Sequence, residues 1–139
     1  MKHALSFAFT MSLAVAPLVD AASLDVRIEG LREAKGHLML SLTDSAAAWD
    51  GDADARARLR QPVASPSETI RFDDLPPGSY AISLFHDEND NGQMDKNIVG
   101  MPTEGYGFSQ NPRVMRKATF EEARFEIAPD GADIVVELR

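Results

Sequence analysis

Six segments of the chain alternate apolar and polar residues with a period of two, and this pattern constrains the fold more than any other feature. Leu24, Val26 and Ile28 alternate with Asp25, Arg27 and Glu29. Leu38, Leu40 and Leu42 share a face opposite Met39 and Ser41, and Ile70 and Phe72 flank Arg71. Tyr80, Ile82 and Leu84 oppose Ala81, Ser83 and Phe85. Ala123, Phe125 and Ile127 alternate with Arg124 and Glu126, and Ile134, Val136 and Leu138 close the chain. A period of two puts successive side chains on opposite faces of a strand. The segment 79–86 is apolar on both faces, as in a central strand covered on both sides.

Turn chemistry separates the runs. Leu75-Pro76-Pro77-Gly78 and Pro129-Asp130-Gly131 combine proline, which fixes φ, with glycine, which accepts a positive φ. The pattern predicts an all-β fold over residues 22–139, a single antiparallel β-sandwich of about seven strands. No long amphipathic helix separates the strands, which argues against a parallel α/β arrangement. Residues 44–60 break the alternation. Ala46 to Ala48 before Trp49, and the Ala/Arg-rich stretch 53–59, suit one short helix that Pro62 and Pro66 stop. Arg56, Arg58 and Arg60 read as a solvated face beside Asp50, Asp52 and Asp54 rather than as an anion site. Trp49 reads as an anchor rather than a ligand platform.

Residues 1–21 read as a secretory signal peptide. Lys2 and His3 precede an uncharged stretch from Ala4 to Val19, and Val19-Asp20-Ala21 offers small residues where a signal peptidase reads. That stretch is short for a roughly 20-residue membrane span, and Pro17 suits a cleavage region. Residues 22–139 then form the mature domain, expected in the periplasm or secreted. A domain of this size buries roughly 65% of its unfolded surface and needs no disulfide. The absence of cysteine excludes disulfides, thiol catalysis, cysteine–zinc sites and a lipid-modified cysteine. A net charge of −8 argues against nucleic acid and anionic membrane surfaces as partners. It also favours a soluble monomer.

The segment 86–95 carries the chemistry. Four acids fall in ten residues without a lysine or arginine. Asp87, Asn89 and Asn91 take positions 1, 3 and 5 of a calcium loop, Gly92 position 6, Gln93 position 7 and Asp95 position 9. Calcium wants six to eight oxygens, which alternate side chains and the position-7 carbonyl supply. Position 12 is Ile98 instead of a bidentate glutamate, so the segment is no EF-hand. Glu104 is the nearest downstream carboxylate to complete the set, with Glu88 and Asp90 as further candidates. The same residues also describe a hairpin tip, since Asn91-Gly92 is a strong turn signal. From Gly100 to Ser109 glycines alternate with aromatics. This loop reads as a plug that buries Tyr106 and Phe108.

The run Phe72-Asp73-Asp74-Leu75-Pro76-Pro77-Gly78-Ser79-Tyr80-Ala81-Ile82, then His86-Asp87-Glu88-Asn89 and Gly105-Tyr106-Gly107-Phe108-Ser109, resembles the bacterial DUF2141 family. The resemblance covers the chain from about Leu24 to Leu138. The Leu-Pro-Pro-Gly-x-Tyr piece also resembles prealbumin-like and carboxypeptidase-regulatory-like β-sandwich modules. The resemblance implies export and an Ig-like or prealbumin-like sandwich, and it carries over no catalytic residues. Asp90 stands where the family's loop is expected to hold a glycine.

Three functions compete on these residues. The first is an exported, non-enzymatic binding module for a protein or cell-envelope ligand, with a Ca2+-stabilised loop at 87–95. The second is a periplasmic hydrolase using His86, Asp87 and Glu104, with Ser109 as nucleophile; no Gly-x-Ser-x-Gly elbow supports it. The third is a copper protein using His37, His86, Met94 and Met101, whose spacing fixes no site. The expectation is the first, with no enzyme activity and no cofactor beyond calcium.

Overall fold

A computed structural model describes residues 14–16 and 21–139. The expected signal peptide, residues 1–21, lies outside the described residues apart from 14–16 and Ala21. The chain runs β1 (Ala22–Glu29), β2 (His37–Thr43), α1 (Ala46–Asp50), β3 (Ala57–Pro62), β4 (Glu68–Leu75) and β5 (Gly78–Asp87). It continues through β6 (Tyr106–Phe108), α2 (Phe120–Ala123), β7 (Phe125–Ile127) and β8 (Ala132–Glu137). Strands dominate, and no helix among the described residues is long and apolar enough to cross a membrane.

The strands form two sheets. One has the order β4-β1-β8; the other has the order β3-β2-β5-β6, with β7 also on β5. Leu24, Val26, Ile28, Ile70 and Val136 of the first sheet share one core with Leu38, Leu40, Leu42, Ile82 and Leu84 of the second. These are the residues that the alternation sends inward. Tyr80 joins them, and its hydroxyl donates 2.6 Å to the Pro76 carbonyl, which fastens the Leu75–Gly78 turn to the strand it starts.

Several expectations are corrected. The sheets are not wholly antiparallel, because β1 and β8 pair in parallel from Leu24↔Ala132 to Glu29↔Glu137. The two strands lie at opposite ends of the chain, so no hairpin dictates their direction. Helix α1 falls inside 44–60, but residues 57–60 are strand: Ala57 and Leu59 pack on the core while Arg58 and Arg60 are exposed. Ala123 ends a helix instead of starting a strand. Thr119 and Glu122 form a reciprocal capping box that opens α2. Tyr106 and Phe108 are not a plug but a strand, half-buried on the outer face.

The expected central strand is β5, and its free edge is shared. Gly78 to Tyr80 pair with β7, and Ser83 to Phe85 pair with β6. Ser109 fills the gap at Ile82. Its backbone N–H donates 2.9 Å to the Ile82 carbonyl, and its hydroxyl accepts from the Ile82 N–H at 2.8 Å while donating to the Ala123 carbonyl. Ser109 is fully buried. Ser109→Ala leaves a buried N–H unpaired and is expected to cost about 1–3 kcal/mol in chemical denaturation. Ser41→Ala, on the outer face of β2, is expected to stay within about 0.5 kcal/mol.

Candidate functional site

The outer face of the five-stranded sheet is built from residues that the core leaves out. Strand register sets them in two cross-strand rows. Arg60, Met39, Phe85 and Tyr106 form one; Arg58, Ser41, Ser83 and Phe108 form the other. Toward the start of β5 this face is covered. Trp49, Ala81, Ala118, Phe120 and Ala123 make a second apolar cluster there. Trp49 Nε1 donates 2.8 Å to the Ala118 carbonyl, and Lys117 Nζ donates 2.8 Å to the Trp49 carbonyl while lying 5.1 Å from the ring centroid. Trp49 is thus an anchor, as its sequence context suggests. Beyond it the face opens into a groove of about 710 Å3. The rows form its floor. Met94, Lys96, Met101 and Pro102 line it from the segment after β5, and Met115, Arg116 and Lys117 from the segment before α2.

The glycine alternation in β6 has a steric cause. A Cβ on Gly107 would meet the Glu137 carbonyl oxygen and Val136 Cγ1 at 2.9 Å each. Tyr106 and Arg139 also exchange both backbone hydrogen bonds, at 3.2 and 2.9 Å. The end of the chain therefore passes so close beneath β6 that its inner face holds only glycine, while Tyr106 and Phe108 face the groove.

The acidic loop is a compact network. Asp87 is fully buried, and its carboxylate accepts the Asn91 N–H at 3.2 Å and the Gly92 N–H at 2.7 Å. Asn89 Oδ1 accepts the Asn91 N–H, and Asn91 Oδ1 accepts the Gln93 N–H at 2.9 Å. The Asn89 and Asn91 amides donate to Asp95. Alternate side chains at positions 1, 3, 5 and 9 thus turn inward together. Glu104 is buried and clamps the two arms: Oε1 accepts the Glu88 N–H at 3.1 Å and Oε2 the Asp95 N–H at 3.2 Å. Among the described residues no group of three or more His, Asp or Glu side chains is arranged to hold a metal. Asp90 has φ 59°, the left-handed region that glycine occupies without steric cost. Aspartate tolerates it better than most side chains, and here its carboxylate bonds His37 and lies 3.6 Å from Arg60.

The structure disperses the other candidates. His86 is fully buried, with Nε2 2.6 Å from the Lys35 carbonyl. Its Nδ1 faces Glu88 Oε1 at 3.8 Å, too long for a hydrogen bond. Both atoms are buried without a hydrogen-bond partner, although Arg32 Nε lies 3.2 Å from that Glu88 oxygen. Met94 and Met101 line the groove, but neither His37 nor His86 does. Arg116 is held by Glu122 through two bonds of 2.8 Å, and its guanidinium, helped by the Thr119 N–H, holds the Glu122 carboxyl down at about 2.

The groove residues escaped sequence reasoning for a definite reason. Met39, Phe85 and the alternating Arg58 and Arg60 are visible as outer-face residues of period-two runs. Only the pairing of β3, β2, β5 and β6 makes them one surface.

Glu104 is an acceptor for two N–H groups. Glu104→Gln retains one acceptor oxygen and turns an amide against the other N–H. The variant is expected to lose about 1–3 kcal/mol, with hydrogen exchange at Glu88 and Asp95 accelerated first.

Residues 26–135 match the family described as "Uncharacterized protein conserved in bacteria (DUF2141)". No curated protein and no solved structure matches the chain.

Proposed function

The chain belongs to the DUF2141 family of bacterial proteins, and from that premise we propose that it is an exported, non-enzymatic binding module, a single β-sandwich that holds a small ligand in the groove on its five-stranded sheet. One observation carries this reading. The groove, at about 710 Å3, is lined largely by apolar and aromatic side chains, Met39, Phe85, Tyr106 and Phe108 among them, with a few polar groups at Arg58, Ser41 and Ser83. Small-molecule sites have that composition and volumes of roughly 300–1,000 Å3. The leader-like residues 1–21 support export, and the core shared by two sheets supports the sandwich. The residues of the hydrolase alternative are engaged elsewhere: Asp87, Glu104 and Ser109 bond backbone groups, and His86 packs beneath Lys35.

The binding reading is tested with an uncharged, environment-sensitive naphthalene dye. Its fluorescence is expected to rise with the purified chain. Ser83→Trp, which fills the floor from a half-buried position, is expected to abolish the rise without lowering the melting temperature. An unchanged signal in that variant removes the groove as the binding site.

Calcium belongs to the same proposal. Asp87, Asn89, Asn91, the Gln93 carbonyl and Asp95 supply oxygens in the required order, and their turn bonds support a preformed cradle. Glu104 serves this cradle as a clamp, because its two oxygens join the Glu88 and Asp95 N–H groups on the loop's two arms. Two carboxylates and two amides imply weak affinity, about 10⁻⁴–10⁻³ M. At about 100 times its Kd, calcium is expected to stabilise the chain by about 2.7 kcal/mol, raising Tm by several degrees. EDTA should reverse the shift, magnesium should not reproduce it, and Asp95→Asn should reduce it. A single melting curve under all conditions makes the loop a plain turn.

A further inference from the structure

The charge of the groove opposes the charge of the chain. The molecule carries −8, yet the groove lining includes Arg58, Arg60, Lys96, Arg116 and Lys117 and no aspartate or glutamate. Three of these cations already have partners. Arg60 pairs with Asp90, Arg116 with Glu122, and Lys117 with the Trp49 carbonyl. Arg58 and Lys96 form no ion pair among the described residues, and Arg58 is exposed on β3.

The floor is divided in the same sense. Arg58, Ser41 and Ser83 lie side by side across three strands, a guanidinium next to two hydroxyls. Two residues further along each strand the row is Arg60, Met39, Phe85 and Tyr106: Arg60 is already paired with Asp90, and the centre of the row, Met39 and Phe85, is apolar where the first row has Ser41 and Ser83. Successive rows lie roughly 7 Å apart at a strand rise of about 3.3 Å per residue. Above the floor, Met101 is 42% and Met115 87% exposed, apolar side chains left in water at the groove's rim. Methionine is unbranched and adapts to a flexible apolar chain.

We propose that the groove takes a free single-chain amphipathic anion, an unbranched acyl carboxylate, with its head at Arg58, Ser41 and Ser83 and its tail along Met39 and Phe85 under the methionine rim. The guanidinium matches a carboxylate in bidentate geometry, and the serine hydroxyls donate to its remaining lone pairs. Lys96 adds attraction from the loop wall. This rests on the groove being the binding surface, and it names the ligand's chemistry.

Calorimetry of the purified chain with decanoate, decanol and acetate tests it. Decanoate is expected to bind, acetate not to bind measurably, and decanol to bind at least about tenfold more weakly than decanoate. Added salt should weaken decanoate and leave decanol unchanged. Arg58→Glu sits on an exposed edge position. It should cost decanoate about tenfold or more, with Tm unchanged and decanol within about twofold. Equal affinity for decanol and decanoate overturns the anion assignment while the binding reading survives. Acetate binding as tightly as decanoate overturns the tail. Failure of both the dye and every ligand here removes the binding reading itself. A dimer in size exclusion that Ser83→Trp dissociates makes the groove a self-interface and overturns the proposal.

Discussion

Everything in this molecule depends on β5 being hydrogen-bonded along both edges. Its one edge meets β2 from Ala81 to Asp87. Its other edge meets β7, then the Ser109 side chain, then β6, and finally the Gly105 carbonyl, which accepts the His86 N–H at 2.7 Å. A buried N–H or carbonyl without a partner is costly, so a strand at the middle of a sheet tolerates no gap. Two three-residue strands cannot span ten residues. The serine hydroxyl completes the edge by acting as acceptor and donor at once.

Because β5 is satisfied on both edges, both of its faces can carry side chains with distinct tasks. The inner face, from Tyr80 to Leu84, joins the core between the sheets. The outer face is divided along its length. At Ala81 a small side chain lets Trp49 and α2 close down onto the sheet. At Ser83 and Phe85 no helix follows, and the groove begins. The helices are too short to reach further. Capping by Ser45 and Thr119 fixes where they start, and α1 ends at Gly51 in the left-handed conformation after five residues.

The acidic loop runs directly into the wall of the groove. Asp87 is the last residue of β5, and its carboxylate organises the turn that carries Met94 and Lys96 to the groove wall. Glu104 ties the return arm to the outgoing one just before β6 enters the sheet. A substitution in this network therefore acts on the wall of the groove as well as on the loop. Asp90 adds a link across to β2 through His37, at a backbone conformation that a glycine would adopt without strain.

The sequence by itself determined six of the eight strands, their inward faces and the family, while β3 lay in a stretch read as helical and β6 in one read as a loop. Period-two alternation is a local property, and Leu24, Leu38, Ile82 and Val136 announce it without reference to any other part of the chain. It also determined the loop's donor order, which is a matter of spacing over ten residues. Only the tertiary structure decided which strands became neighbours. The parallel pairing of β1 with β8 joins the two ends of the domain, and nothing in either segment encodes direction. Arg58 and Arg60 are exposed, as the acidic surroundings in sequence suggest, but only the sheet makes Ser41 and Met39 their cross-strand neighbours. Gly107 looked like a loop residue because the groups that exclude a side chain there, the Glu137 carbonyl and the Val136 side chain, lie about thirty residues away and come close only in the folded chain. Faces follow from local geometry, whereas a groove is a relation between strands, and long-range pairing sets that relation.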